Sequence, residues 1–163
     1  MRQNNNFKTV IILCGGRGTR LGAISKKIPK SLVKINSRPI LWYIIKNLIK
    51  NSFNHFILPV GYKGGLIKKY ILKQKEFKNL SIEIINTGEN TSIAKRIYQV
   101  RKKVISNNFL LMNGDAIFDF DLKKIYDDHR KKKFDQTFIG CENELAYGTV
   151  GIKNGKISSF DRN

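Results

Sequence analysis

Five short apolar runs alternate with stretches of helical spacing along this chain, and that alternation leaves few folds open. Lys8–Leu13, His55–Val60, Ser81–Ile85, Asn108–Met112 and Phe134–Cys141 read as buried strands. Between them, Arg38–Lys50, Gly64–Lys73, Thr91–Ile105 and Asp121–Lys133 carry the helical patterns, with Pro39 suited to the first turn of the first helix. Strands separated by helices return parallel to one another and are covered on both faces. The predicted fold is therefore α/β: a Rossmann-like three-layer sandwich around a mostly parallel sheet. The last stretch breaks the rhythm. Tyr147–Lys153 and Lys156–Phe160 flank Asn154-Gly155, which predicts a late antiparallel hairpin.

Ligands of open α/β sheets bind beyond the carboxyl ends of the strands. Here those ends read CGGRGTR, GYKGG, NTGENTS and NGDAIFD. Four polar, glycine-bearing loops are expected to line one crevice. The first is the most informative. Gly15, Gly16 and Gly18 let a loop turn backbone N–H groups inward without Cβ clash, which makes an anion nest. Arg20 and Arg17 can add guanidinium contacts to phosphate oxygens. The competing reading is a tight turn whose glycines serve packing alone. Lys30, held in an extended loop by Pro29, can reach the same anion. Asp115 follows an apolar strand and a glycine, which aims a hard carboxylate at the crevice and suggests Mg²⁺. Asp119 and Asp121 are further carboxylates there, with Asp121 read as the N-cap of the following helix.

Several chemistries are argued against. No Gly-Lys-Ser/Thr follows the glycines, so the loop is not a Walker A. The loose spacing of Gly16, Gly18 and Gly22 resembles a dinucleotide turn. However, the second strand ends Pro59-Val60-Gly61-Tyr62 without the acid that a nicotinamide cofactor's ribose needs. His55 and His129 have no serine or cysteine partner placed by a motif, which leaves a nucleophilic triad unsupported. Cys14 and Cys141 form no C-x-x-C, so neither a disulfide framework nor a zinc site is readable, and Cys14 reads as a small core residue.

Composition adds one pressure. The chain has 163 residues, enough for one domain, with 41% hydrophobic residues to build a core. Its 31 Lys+Arg against 12 Asp+Glu give a formal charge of +19. That charge favours an anionic partner, although a solvated lysine surface accounts for most of it. Nucleic acid is disfavoured because no helix-turn-helix, finger or aromatic RNA-binding motif accompanies the charge. The first residues, MRQNNNFK, lack an apolar signal core, and no apolar run reaches the length of a membrane span. A cytoplasmic protein, with an oligomer left open, is expected.

Gly15, Gly16, Gly18, Thr19, Arg20 and Leu21, then Pro29, Lys30 and Leu32, then Pro39, stand in the order of a strand followed by G-G-x-G-T-R-L, P-K-x-L and a later proline. Together they resemble the nucleotidyltransferases that make nucleotide sugars, whose fold is of the GT-A-like kind. Gly61-Tyr62-Lys63, Asn113-Gly114-Asp115 and Tyr147-Gly148 match further family segments, and the resemblance runs from about Phe7 to the end. It implies attack of an acceptor's phosphate oxygen on the α-phosphorus of a nucleoside triphosphate, with release of pyrophosphate. By carry-over, the nucleotide is held by Leu13, Gly15, Gly16, Gly18, Thr19, Arg20, Thr87, Gly88, Ser92, Asn113 and Gly114. Arg20, Lys30 and Asp115 are the catalytic residues, Asp115 holds Mg²⁺, and Tyr147 and Gly148 face the acceptor.

The Asn86-Thr87-Gly88 segment resembles the D-T-G of glucose-1-phosphate cytidylyltransferases, which favours CTP. Those relatives continue with G-G-R where this chain has Ala94, Lys95 and Arg96. The NGD and YGTV stretches are also similar to heptose-phosphate guanylyltransferases. Family members carry an E-K-P lysine, a G-G acceptor segment and a second metal aspartate beyond the point where this chain reads Asp161-Arg162-Asn163. The expectation is one nucleotide-binding domain over residues 1–163 without the usual C-terminal acceptor-binding part. The acceptor is then a sugar 1-phosphate or a less usual phosphate such as phosphocholine or phosphoglutamine, for surface-polysaccharide precursors. The alternatives are a nucleotide-binding module without turnover, a basic nucleic-acid-binding protein and an NADPH-dependent oxidoreductase.

Overall fold

The computed structural model describes residues 8–140 and 149–161. Elements in chain order are β1 (Thr9–Leu13), the two-residue strands β2 (Lys34–Ile35) and β3 (Arg38–Pro39), α1 (Ile40–Lys50), β4 (His55–Val60), α2 (Gly64–Lys73), β5 (Ser81–Asn86), α3 (Ile93–Val100), β6 (Phe109–Asn113), α4 (Leu122–Lys132), β7 (Thr149–Lys153) and β8 (Lys156–Asp161). The main sheet has the order β5-β4-β1-β6 and every pairing in it is parallel. The predicted α/β architecture with a late hairpin is thus what the chain adopts.

The pleat decides which residue meets which layer. On one face, Val10 and Ile12 of β1 join Phe56, Leu58 and Val60 of β4 against Leu41, Ile44, Ile45 and Leu48 of α1. Ile67 and Ile71 of α2 and Leu122 and Tyr126 of α4 complete that core. On the other face, Ile11 and Ile57 meet Val100 of α3, with Leu13, Ile85 and Val104 packed alongside. Alternate residues of one strand therefore serve opposite helix layers, as a sheet buried on both faces requires.

Helix starts follow local chemistry. Pro39 is the residue before α1 (φ −61°, ψ 151°) rather than within it, because Arg38 and Pro39 pair with Lys34 and Ile35 instead. Asp121 caps α4 as expected, accepting from the Lys124 N–H at 2.9 Å. The helix expected over Thr91–Ile105 is shorter: α3 starts after Ser92 and tightens into a 3₁₀ turn at Arg101–Lys103. Asn154 and Gly155 both have positive φ (53° and 72°), and β7 pairs antiparallel with β8 around them.

One expectation fails. Phe134–Cys141 was expected as a fifth strand. Residues 134–140 form no strand, and Cys141 lies outside the described residues. A β-prone sequence becomes a strand only with a partner to complete its ladder. Here β6 pairs with β1 and, among the described residues, with nothing on its other side. A groove of about 700 Å³, walled by Phe109, Leu111, Phe118 and Phe138, lies between β6 and this segment. His129 ties the segment down, with Nδ1 2.9 Å from Thr137 Oγ1 and Nε2 3.0 Å from Asn108 Nδ2. His55 is buried at the other end of the sheet, its Nδ1 3.1 Å from Thr9 Oγ1. Neither histidine is near the strand carboxyl ends. Among the described residues no helix is long and apolar enough to cross a membrane.

Candidate nucleotide site

Strand order places the crevice. From β1 the chain moves outward to β4 and β5, then returns to β6 on the other side of β1. The direction of winding reverses between β1 and β6, which is where open α/β sheets leave room for a ligand. The loops that follow these two strands begin at Cys14 and Gly114, and the Gly114 N–H donates to the Leu13 carbonyl at 3.0 Å.

The first loop rises from β1 and turns at Gly18, whose φ of 63° lies in the left-handed region that favours glycine. Thr19 and Arg20 then open a 3₁₀ segment over Thr19–Ile24. Gly16 is exposed, and a Cβ built on it meets nothing within 4 Å. Lys30 starts the next 3₁₀ turn, behind the extended Pro29. Its ammonium forms an ion pair with the Asp115 carboxylate from the loop after β6. Two of the charged residues expected in the crevice thus face one another. Asn113 ends β6 and, with Gly114, carries the chain into Asp115.

The loops after β4 and β5 close the other side. Gly88 has φ 88°, and its N–H donates to Asn86 Oδ1 at 3.0 Å. Thr87 is buried; its hydroxyl donates to the Val60 carbonyl at 2.8 Å and accepts from Arg96 Nη1. Ser92 caps α3, accepting from the Lys95 N–H at 3.4 Å. Thr87 and Ser92 therefore direct their hydroxyls into the scaffold, while Gly88 presents backbone. Tyr147 and Gly148 lie outside the described residues.

Arg17 turns away from the anion role that sequence spacing suggests. Its guanidinium donates to Glu89 Oε2 at 3.0 Å and sits 5.5 Å from the Tyr62 ring centroid. This exposed pair bridges the loops after β1 and β5. Lys63 Nζ donates to the carbonyls of Lys26 and Lys27, which ties the loop before Pro29 to the start of α2. Sequence reasoning missed Glu89 and, above all, Arg96, which is 4% exposed beneath the glycine loop. A signal was present: Arg96, Ile97 and Val100 share one face of α3, so a cation occupies a position that helical period assigns to the core.

Among the described residues, no group of three His, Cys, Asp or Glu side chains is placed to hold a metal. Asp115 alone is nevertheless a donor set that suits Mg²⁺, which takes one or two carboxylates and fills its remaining positions with water and phosphate oxygens. Cys14 is no nucleophile. Burial pushes its thiol up to about 12, outweighing a hydrogen bond with Ser31, and the Asp115 charge adds to the rise. Iodoacetamide is therefore expected to alkylate Cys14 at least about 100-fold more slowly in the folded protein than in urea. Mass spectrometry of the Cys14 peptide reads this, and equal rates would contradict a buried, protonated thiol.

A family model described as nucleotidyl transferase matches residues 9–161. The chain belongs to the nucleotidyl transferase family. Among its relatives is the probable glucose-1-phosphate cytidylyltransferase of Bacillus subtilis, 32% identical over 92% of this chain and 66% of the relative. The D-glycero-alpha-D-manno-heptose 1-phosphate guanylyltransferase of Campylobacter jejuni is 39% identical over 71% of this chain and 51% of its own length. HddC from Yersinia pseudotuberculosis, complexed with GMP-PN, superposes with a TM-score of 0.70 at 26% identity, covering 96% of this chain and 69% of that one. The chain thus spans just under two thirds of the first of these relatives.

Proposed function

We propose that the protein transfers a nucleotidyl group from a nucleoside triphosphate, CTP by preference, to a phosphorylated small-molecule acceptor. The product is a nucleoside diphosphate sugar or a similar mixed diphosphate for surface-polysaccharide synthesis. The observation that carries this reading is the meeting of Lys30 and Asp115 beside the Gly15–Gly18 loop at the point where strand winding reverses. Phosphate oxygens need cations and N–H donors, and a divalent cation needs a hard carboxylate. The crevice supplies each from a different strand end.

In the proposed reaction an acceptor phosphate oxygen attacks the α-phosphorus in line. The bond from that phosphorus to the β-phosphate bridging oxygen breaks, and pyrophosphate leaves with the electron pair. No covalent enzyme intermediate is required, so catalysis is positioning and charge neutralisation. Leu13, Gly15, Gly16, Gly18, Thr19, Asn113 and Gly114 shape the nucleotide's bed, and the base rests by Thr87, Gly88 and Ser92. Arg20 steadies the departing pyrophosphate. Lys30 exchanges Asp115 for phosphate oxygens as the nucleotide enters. Asp115 is the protein ligand for Mg²⁺, which when bound supplies charge neutralisation across the phosphates. Tyr147 and Gly148 serve the acceptor side of this single domain, set in the cytoplasm where nucleoside triphosphates are made.

CTP is favoured by the Thr87-Gly88 segment and by similarity to a cytidylyltransferase over most of the chain. GTP is the second reading, favoured by the guanylyltransferase relative. Pyrophosphate release is measured with CTP, GTP, UTP, dTTP and ATP against sugar 1-phosphates, phosphocholine and phosphoglutamine. CTP is expected to give the highest kcat/KM, by tenfold or so. A GTP maximum replaces the base assignment. Binding without release for every pair leaves a nucleotide-binding module, and absence of both defeats the reading.

A further inference from the structure

We propose that Arg96 is a positioning residue for nucleotide binding, acting through the Gly15 carbonyl rather than by touching the nucleotide. This rests on the nucleotidyl-transfer reading of the crevice. Arg96 rises from the first turn of α3, and each of its acceptors is a neutral oxygen. Nη2 donates to the carbonyls of Gly15 at 3.0 Å and Glu89 at 3.1 Å; Nη1 donates to the Val60 carbonyl at 3.3 Å and to Thr87 Oγ1. Those oxygens come from the ends of β1, β4 and β5 and from the loop beyond β5. One planar fork therefore holds three strand ends in register.

Stability alone gives no reason for a charge here. A buried cation is costly unless fully hydrogen-bonded, and an apolar side chain of similar volume would fill the space at less cost. Its geometry supplies the reason. A trans peptide holds its C=O and its N–H antiparallel, and the described chain has no cis bond. The Gly15 carbonyl accepts from Arg96 at 3.0 Å and, more weakly, from the Tyr62 N–H at 3.3 Å, and holding it down this way turns the Gly16 N–H the opposite way, toward the exposed mouth of the loop. Gly16 sits there with open space around its Cβ position. Arg96 thus aims a backbone donor at an incoming phosphate before the phosphate arrives, and the cation beneath the loop adds attraction.

The glycines corroborate this. A Cβ on Gly15 would stand 2.2 Å from Arg96 Nη1, and one on Gly61 would stand 2.8 Å from it and 2.4 Å from the Gly88 carbonyl. The missing side chain of Gly15 therefore makes room for Arg96, whereas that of Gly16 leaves the mouth open. Through Glu89, whose carboxylate holds Arg17, the same guanidinium joins the loop after β5 to the loop after β1.

The test compares CTP and GTP affinity, with Mg²⁺, in the wild type, Arg96→Lys and Arg96→Ala. A lysine keeps the charge but cannot span four acceptors. Arg96→Lys is expected to bind triphosphate about 10- to 100-fold more weakly, the effect of losing charge-assisted hydrogen bonds. Tens of millimolar guanidinium should restore much of the affinity lost in Arg96→Ala, a rescue that a merely structural defect would not show. Unchanged affinity in Arg96→Lys, with the wild type binding normally, overturns the inference alone. A wild type that binds no triphosphate removes the nucleotidyl-transfer reading and the inference with it. Should both variants fail to fold, a crystal structure of the wild type with nucleotide decides. Gly16 N–H on a phosphate oxygen with Arg96 still on Gly15 supports positioning, and an Arg96 contact with the nucleotide overturns it.

Discussion

Asp115→Asn is expected to lower pyrophosphate release on the order of a thousandfold while leaving the fold intact. Asp115 supplies a carboxylate at the crevice, and its partner is Lys30. Asparagine keeps the shape and removes the charge that a divalent cation needs. Stability should change by less than about 1 kcal/mol, because the pair is partly solvated and such pairs contribute little. Arg20→Ala is expected to fall by a similar factor, since it leaves the departing pyrophosphate without its guanidinium. Asp115→Asn combined with Lys30→Met should cost far less than the two single losses together, because in the proposed reaction both groups serve the same phosphates. Steady-state kinetics beside thermal melts reads all of this. Near-normal turnover in both Asp115→Asn and Arg20→Ala would remove the site assignment.

The largest effect on stability is expected at the centre of the sheet. Phe56 is the second residue of β4, a strand flanked on both sides in the sheet, and it is fully buried in the core that packs against α1. Phe56→Ala should destabilise the domain by about 3–5 kcal/mol through lost transfer energy and the cavity left behind. That is a large part of the stability of a domain this size. Phe109 of β6 is the comparison: it is 42% exposed beside the groove, so its truncation should cost about 1 kcal/mol. Urea unfolding followed by circular dichroism separates the two. Equal losses would mean that β6 is packed as tightly as β4, contrary to its open edge.

Much of the candidate site is legible in the sequence because its signals are local. Glycines after an apolar run, a lysine behind a proline and an aspartate after Asn-Gly each declare themselves within a few residues. The parallel order followed from helices placed between strands. The failed strand at 134–140 marks the limit of that logic, since β-propensity cannot say whether a ladder partner is in place.

The sequence by itself determined the α/β rhythm, the turn at Asn154-Gly155, the cap at Asp121 and the chemistry of the strand ends. These depend on period, backbone preference and residue type over short spans. Tertiary structure alone decided that Lys30 pairs with Asp115, that Arg17 faces Glu89 and that Thr87 turns inward. It also decided that the guanidinium of Arg96 reaches Gly15, 81 residues away in sequence. Those contacts exist only once β5, β4, β1 and β6 lie side by side, and no spacing along the chain encodes which carbonyl a buried arginine will hold.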